Sequence, residues 1–421
     1  MHNHPFLLSV SNLINQDIFF TVRQGKKINA SLCDLMPWRS PKPLSNYFPI
    51  PITFFKTINR YLPITKKINH IIVGQGLAGS CLALELFKRG KEIRIFDLPE
   101  ENRASSVAAG LFNPITGNRM TKSWSAEKMF PALFQFYREA ERRLERKFLY
   151  EEPIYRPFIS VEEQNEWMAQ SENPAVKPFV KEVFTSAAYE QAVNPFGGIV
   201  INQSGYLDVN AFMEAVRVEL KKKDAYSNAL FDPTQIKIKN NAIEYAHLTA
   251  TSIVFCEGVR AAQNPFFHWL PIRPLKGETI TISLDQRPEA IFNRGVYLVP
   301  TSKDNSFIVG ATYQGNDDTP VITAAAKAEL EEKLKGLITM QYQVTHQSWG
   351  IRPTTPDRKP ILGAHPLYKN LVVFNGLGTK GVSLAPYFSA LLADWFEGRA
   401  EIQNEVNIQR FKPLYSKLSS L

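Results

Sequence analysis

The sequence predicts an α/β protein organised around a parallel-sheet βαβ domain. Three observations carry that expectation. A strand, glycine turn, helix and second strand follow one another from Lys67 to Asp97. A second strand, glycine turn and helix stand near the end of the chain, at Leu371–Gly398. The 421 residues, 44% hydrophobic and 21% charged, are enough for two or three ordinary globular cores and exclude disorder throughout.

Composition removes several function classes. The 3 cysteines, Cys33, Cys81 and Cys256, form no C-x-x-C pair, so neither a disulfide scaffold nor a cysteine zinc site is expected. No apolar stretch approaches the roughly 18 residues of a spanning helix. A reducing, cytoplasmic setting is the expectation. The net charge of +9 is uneven: residues 1–67 hold 9 basic and 2 acidic groups, and the other 354 hold 40 and 38. The body is therefore only +2, a weak attraction for a polyanion. Residues 1–67 also carry seven prolines and no helical or strand period. They lack a basic start followed by a compact apolar core, so a signal peptide is not expected. The expectation is a poorly ordered extension or a start placed too far upstream, with a transit peptide left open.

Ile68, Ile71, Ile72 and Val73 make a short apolar run ending at glycine, as a buried parallel strand does. Gly74-x-Gly76-x-x-Gly79 follows at once, then a helix with Leu77, Leu82, Leu84, Leu86 and Phe87, closed by Gly90. Ile93, Ile95 and Phe96 form the second strand, with Asp97 at its end. In such a Rossmann-type unit Gly74 permits the tight turn. Gly76 lets backbone approach a pyrophosphate at the helix N-terminus, and Gly79 lets helix and strand pack closely. Asp97 stands 18 residues beyond Gly79, where a carboxylate accepts ribose hydroxyls, and an acid there argues against a 2′-phosphate.

Downstream, "RASSVAAG" sets Ser105 and Ser106 before the small residues Ala109 and Gly110. Hydroxyls suit phosphate or ribose, and small residues let backbone lie against a flat ring; alone, the stretch reads only as a loop. A long helix is expected from Ser125 to about Arg146, and another over Asn210–Lys222. Thr251–Gly258 reads as a strand into glycine. Val296–Pro300 and Phe307–Thr312 read as a hairpin, and Thr323 as the cap of a helix to about Ile338. In "NGLGTKG" Gly376, Gly378, Thr379, Lys380 and Gly381 open the last helix toward something planar or anionic. The positive helix end there suits the negative charge of a reduced flavin. The histidines show no metal spacing.

These pieces together resemble the D-amino-acid oxidase, glycine oxidase and sarcosine oxidase family of FAD enzymes. The resemblance spans about Ile68 to Pro386 and rests on the glycine triplet with Asp97, "SSVAAG", "SGYLDVNAF", "IVFCEG", "PLKGE", "VYLVP", "FIVGATY", "WGIRPTTPDRKPILG" and "NGLGTKGVSLAP", in the family's order. "GLFNP", "GATYQGNDDT", "GIRPTTPD" and "GLGTKG" also resemble the oxidase domain of the bifunctional enzyme that finishes 5-methylaminomethyl groups on tRNA wobble uridines. Residues 1–67 are too short for that enzyme's methyltransferase domain.

The resemblance implies an FAD-binding domain (68–150, 205–265 and 346–421) interleaved with an α+β substrate domain (151–204 and 266–345) on a mostly antiparallel sheet. It implies FAD, held without a covalent link because no cysteine follows Cys256. Arg352 matches the family's carboxylate-binding arginine, and Tyr297 a tyrosine that helps hold the same carboxylate. Each has a plainer reading, a structural ion pair for Arg352 and core packing for Tyr297. Lys276 and Lys380 are weaker candidates for facing flavin or oxygen, since solvated lysines are commoner. Two departures stand out: Cys256-Glu257-Gly258 replaces the usual Ala-Thr/Ala-Gly, and Leu377 stands where a histidine or aromatic is frequent. The expected reaction is oxidation of the CH–NH bond of a small amino acid or N-substituted glycine, with hydride passing to flavin N5 and dioxygen as acceptor. A tRNA-modifying flavoenzyme, disfavoured by the +2 body, and a flavoprotein dehydrogenase without oxidase activity are the alternatives.

Overall fold

In the strand Lys66–Val73, Ile72 enters one core while Ile71 and Val73 enter another, so the strand is buried on both faces. That is why it reads as an unbroken apolar run. The computed structural model of the chain describes residues 66–99, 103–116, 121–239, 242–315 and 317–418. They fall in one compact unit, Pro63–Leu421. The extension expected over residues 1–67 lies outside the described residues, except that Lys66 and Lys67 already pair with Leu248 and Thr249.

Five strands of an eight-stranded sheet run parallel, in the order Tyr226–Asn228, Ile93–Asp97, Lys66–Val73, Leu248–Phe255, Leu371–Asn375. Ile361–Ala364 pairs antiparallel with the last of them, and Ala242–Tyr245 with Leu248–Phe255. Three helices, Leu77–Lys88, Val209–Lys222 and Gly381–Phe396, contribute to the same core on one face. Leu77–Lys88 and Gly381–Phe396 lie together and are tied at their C-terminal ends by Arg89. Its guanidinium donates to Glu85 at 2.7 Å, Asp394 at 2.6 Å and Glu397 at 3.0 Å. The two helices therefore start side by side: a Cβ on Gly381 would stand 3.1 Å from Leu77 Cδ1.

A nine-stranded sheet forms the second layer. Its strands are antiparallel except for Ile154–Pro157 beside Ile291–Arg294, which run parallel. Arg273–Ser283 pairs on one side with Ser306–Gly310 and on the other, along its whole length, with Gln343–Thr354. The segment expected to begin at residue 346 thus begins inside a strand of this sheet. Helix Ala324–Lys335 packs on the sheet through Leu330 and Leu334, and Thr323 caps it by accepting the Ala326 N–H at 3.1 Å. The expected hairpin forms between Val296–Pro300 and Ser306–Gly310. The long helix runs over Ala126–Leu144, within two residues of its expected ends. Leu111–Phe112, Gly205–Leu207 and Leu149–Glu151 make a small three-stranded sheet.

Among the described residues, no helix is long and apolar enough to cross a membrane, and no group of three metal-binding side chains comes together.

Candidate active site

A cavity of about 540 Å³ opens at the carboxyl ends of the parallel strands, where α/β sheets place their ligands. It runs from Phe96, Leu230 and Phe231 at one end to Tyr297 and Arg352 at the other. Its size lies in the roughly 300–1,000 Å³ range of cofactor and ligand pockets.

Of the residues singled out from the sequence, Gly74, Gly76, Asp97, Ser105, Ala109, Gly110, Gly378, Thr379, Gly381, Tyr297 and Arg352 line this cavity. Gly79, Ser106, Gly376 and Lys380 do not. Gly79 works by close packing: a Cβ there would overlap the Gly74 carbonyl oxygen. Ser106 turns its hydroxyl onto the Arg103 carbonyl at 2.9 Å, so of the two expected hydroxyls only Ser105 faces the cavity. Gly376 is buried behind the turn, its N–H held by Asn375 Oδ1 at 2.7 Å. Asn375 Nδ2 in turn donates to the Gly258 carbonyl at 2.8 Å, joining two cavity-lining turns.

The glycine turn is held by groups from three elements. Asp97 Oδ1 accepts the Gln75 N–H at 2.9 Å, and Gln75 Nε2 donates to the Met213 carbonyl at 2.7 Å. Leu77 N–H, in the first turn of its helix, points at Ser105 Oγ at 3.2 Å. A Cβ on Gly76 would stand 3.1 Å from that same Ser105 Oγ, so the missing side chain leaves a cradle between the helix start and the serine. Arg103 Nη1 reaches both Asp97 oxygens, at 2.9 and 3.2 Å, while its Nε is buried without a partner. A backbone cradle at a helix start, a ribose-type acid and a buried donor beside it fit a dinucleotide.

At the other end, Arg352 lies on Gln343–Thr354. Its guanidinium donates to the Thr312 carbonyl at 3.4 Å and lies 5.1 Å from the centre of the Tyr313 ring. No ion pair holds it among the described residues, so the structural ion pair that was its plainer reading is not what is seen. Tyr297 lies beside it; burial pushes the phenol up to about 12, against the pull of the Arg352 charge, so it keeps its proton. Tyr313 is 64% exposed at the mouth.

The lysines behave differently from either expectation. Lys276 is neither solvated nor facing the cavity: its side chain is fully buried, with Nζ 3.0 Å from Thr319 Oγ1, 3.3 Å from Asp317 and 3.8 Å from Glu278. The cause is strand alternation, which turns Gly277 and Thr279 to the cavity and Lys276 and Glu278 away. Lys380 reaches Ser123 Oγ at 3.2 Å, and burial with the nearby Arg358 lowers its pKa. Sequence reasoning missed Arg103, Gln75, Tyr313 and Trp349; for Arg103 the available signal was a basic residue two positions before the first of the two hydroxyls. The two departures noted in the sequence both line the cavity. Cys256 is buried, which raises its thiol pKa, and Glu257, accepting from Asn264 Nδ2 at 2.7 Å, is raised by burial to about 7.

A cleft at the carboxyl ends of parallel strands, with a glycine turn at a helix start and an acid beside it, points to the class of dinucleotide-binding proteins. Comparison with known proteins makes the class specific. The DAO family, described as FAD dependent oxidoreductase, matches residues 69–395. The chain belongs to this family: it is an FAD-dependent oxidoreductase. It is 25% identical over 362 residues to a glycine oxidase of Pseudomonas aeruginosa, covering 79% of this chain and 95% of that one. It is 22% identical over 372 residues to the tRNA 5-methylaminomethyl-2-thiouridine biosynthesis bifunctional protein MnmC of Idiomarina loihiensis, covering 81% and 58%. The chain spans about half the length of the bifunctional relatives it matches, 52% to 58%. The crystal structure of glycine oxidase from Geobacillus kaustophilus shares the fold, with a TM-score of 0.66, 21% identity, and 81% and 97% of the two chains covered.

Proposed function

We propose that the protein oxidises the CH–NH bond of a small amino acid or N-substituted glycine. The observation that carries this reading is the Arg352 guanidinium, which lines the cavity with no ion-pair partner among the described residues and is flanked by the protonated Tyr297. A planar guanidinium binds a carboxylate through two parallel hydrogen bonds, and the phenol adds one as donor. This chain's part is to fix the substrate by its carboxylate; Ala109 and the Gly378–Gly381 turn, which line the cavity, would hold the flavin ring that the α-carbon must face. The Gly76 cradle and the start of helix Leu77–Lys88 would hold the pyrophosphate, Asp97 and Arg103 the ribose side, and the start of helix Gly381–Phe396 the flavin's electron-rich edge. FAD, when bound, supplies a two-electron acceptor that takes the hydride of the α-carbon at N5. The amine must arrive neutral, since its nitrogen lone pair becomes the second bond of the imine, which water then hydrolyses. Trp349 and Leu377 line the cavity with apolar surface. Binding of the cofactor is read as non-covalent, the buried thiol of Cys256 being held protonated.

The test is an amine panel scored by anaerobic bleaching of the flavin: glycine and sarcosine should bleach it fast, and carboxylate-free amines measurably but far more slowly. Peroxide release in air identifies dioxygen as acceptor; bleaching without peroxide selects the dehydrogenase alternative. The Idiomarina relative supports a second reading, in which the oxidised amine is carried on tRNA. A salt-dependent gel shift with tRNA tests it, and the near-neutral body favours the small substrate.

A further inference from the structure

Arg352 and Gly277 lie on neighbouring antiparallel strands. Leu275 stands opposite Arg352, and Gly277 opposite Gly350, which makes Gly277 the diagonal neighbour of Arg352. The Arg352 side chain follows that diagonal. A Cβ built on Gly277 would overlap its Nη1, Nη2 and Cζ, so the guanidinium rests flat on bare backbone. On the next strand, Gly310 stands opposite both Thr279 and Tyr297. A Cβ there would come 2.7 Å from Tyr297 Oη and 2.7 Å from Thr279 Cγ2. Both polar groups at the substrate end of the cavity therefore lie over glycine.

We infer that Gly277 is a positioning residue for the reaction: its missing side chain sets the depth and tilt at which Arg352 presents its paired nitrogens to a substrate carboxylate. The inference rests on the carboxylate reading proposed above. Its physical basis is the separation of fold from site. Gly277 has no positive φ, and alanine is easier than glycine to hold in a strand. The three atoms nearest an added methyl all belong to the far end of a flexible side chain. Two parallel hydrogen bonds tolerate little displacement, and a misplacement of about 1 Å costs on the order of 10²-fold in rate.

The experiment compares the flavin-loaded wild type with Gly277→Ala, Arg352→Ala, the double variant, and Gly315→Ala, whose Cβ would meet nothing within 4 Å. Glycolate, a carboxylate without an oxidisable amine, is titrated by flavin absorbance, and sarcosine kinetics, flavin content and melting temperature are measured alongside. For Gly277→Ala the glycolate Kd should rise at least about tenfold and sarcosine kcat/KM fall about 10- to 100-fold, mostly through KM, with flavin content and melting temperature held. In the Arg352→Ala background the same alanine should cost nothing more, because the group it displaces is gone. Wild-type glycolate binding by Gly277→Ala, or an equal loss in both backgrounds, would overturn the positioning role while leaving the carboxylate reading intact. If Arg352→Ala binds glycolate as the wild type does, the carboxylate reading falls and the inference with it.

Discussion

Arg103 Nη1 bridges the two carboxylate oxygens of Asp97, which also accepts the Gln75 N–H of the glycine turn. One carboxylate thus holds the turn and orients a cation at the nucleotide end of the cavity. Arg103→Ala should leave the turn in place through the Gln75 contact but weaken FAD binding. A lost charge-assisted hydrogen bond of about 1.5–3 kcal/mol corresponds to roughly 10- to 100-fold in Kd. Fluorescence titration of the apoprotein with FAD measures it, and an unchanged Kd would leave Arg103 with a local structural role only.

A substitution at Gly76 should separate cofactor binding from folding. Its φ of −81° suits any residue, so Gly76→Val should fold, yet its side chain enters the space beside Ser105 where a pyrophosphate would lie. The expected product is a colourless protein with a near-normal melting temperature. Acid precipitation of the wild type should release the flavin into the supernatant, because Cys256, the one cysteine that lines the cavity among the described residues, is held as a buried thiol. Colour retained in the pellet would show a covalent link.

How much of this was legible follows the range of the interactions. The glycine turn, Asp97 and both helix starts could be read because their spacings are local and their roles follow from backbone geometry. The strand alternation that buries Lys276 was readable in principle, yet its partners Asp317 and Thr319 come from a loop about forty residues on. Gly277 and Gly310 carry no local signal, since their roles exist only through cross-strand register. The segment boundary at residue 346 fell inside a strand for the same reason: Gln343–Thr354 is held by its pairing with Arg273–Ser283.

Glu257 predicts a pH dependence with a defined sign. Burial raises its folded-state pKa to about 7, from the ordinary glutamate value of 4.5. Between those values the folded form binds more protons than the unfolded chain, so stability falls as pH rises through the window and levels off above it. Glu257→Gln should remove that slope, gaining on the order of 1–3 kcal/mol relative to the wild type at pH 8 and little at pH 4. Melting curves of both proteins across this range decide it; parallel curves would place the Glu257 carboxylate in contact with water.

Anaerobic flavin bleaching by sarcosine and dimethylamine tests most directly whether Arg352 binds a substrate carboxylate. The two amines differ by the carboxylate. Arg352→Ala should lose several kcal/mol, about 10²- to 10³-fold, in the bleaching rate constant with sarcosine. Its rate with dimethylamine should stay at the wild-type value, with flavin content and melting temperature retained. Arg352→Lys should fall between, since a point charge cannot reproduce the two-bond geometry. Equal losses on both amines, accompanied by a lowered melting temperature, would contradict the account and return Arg352 to a structural role.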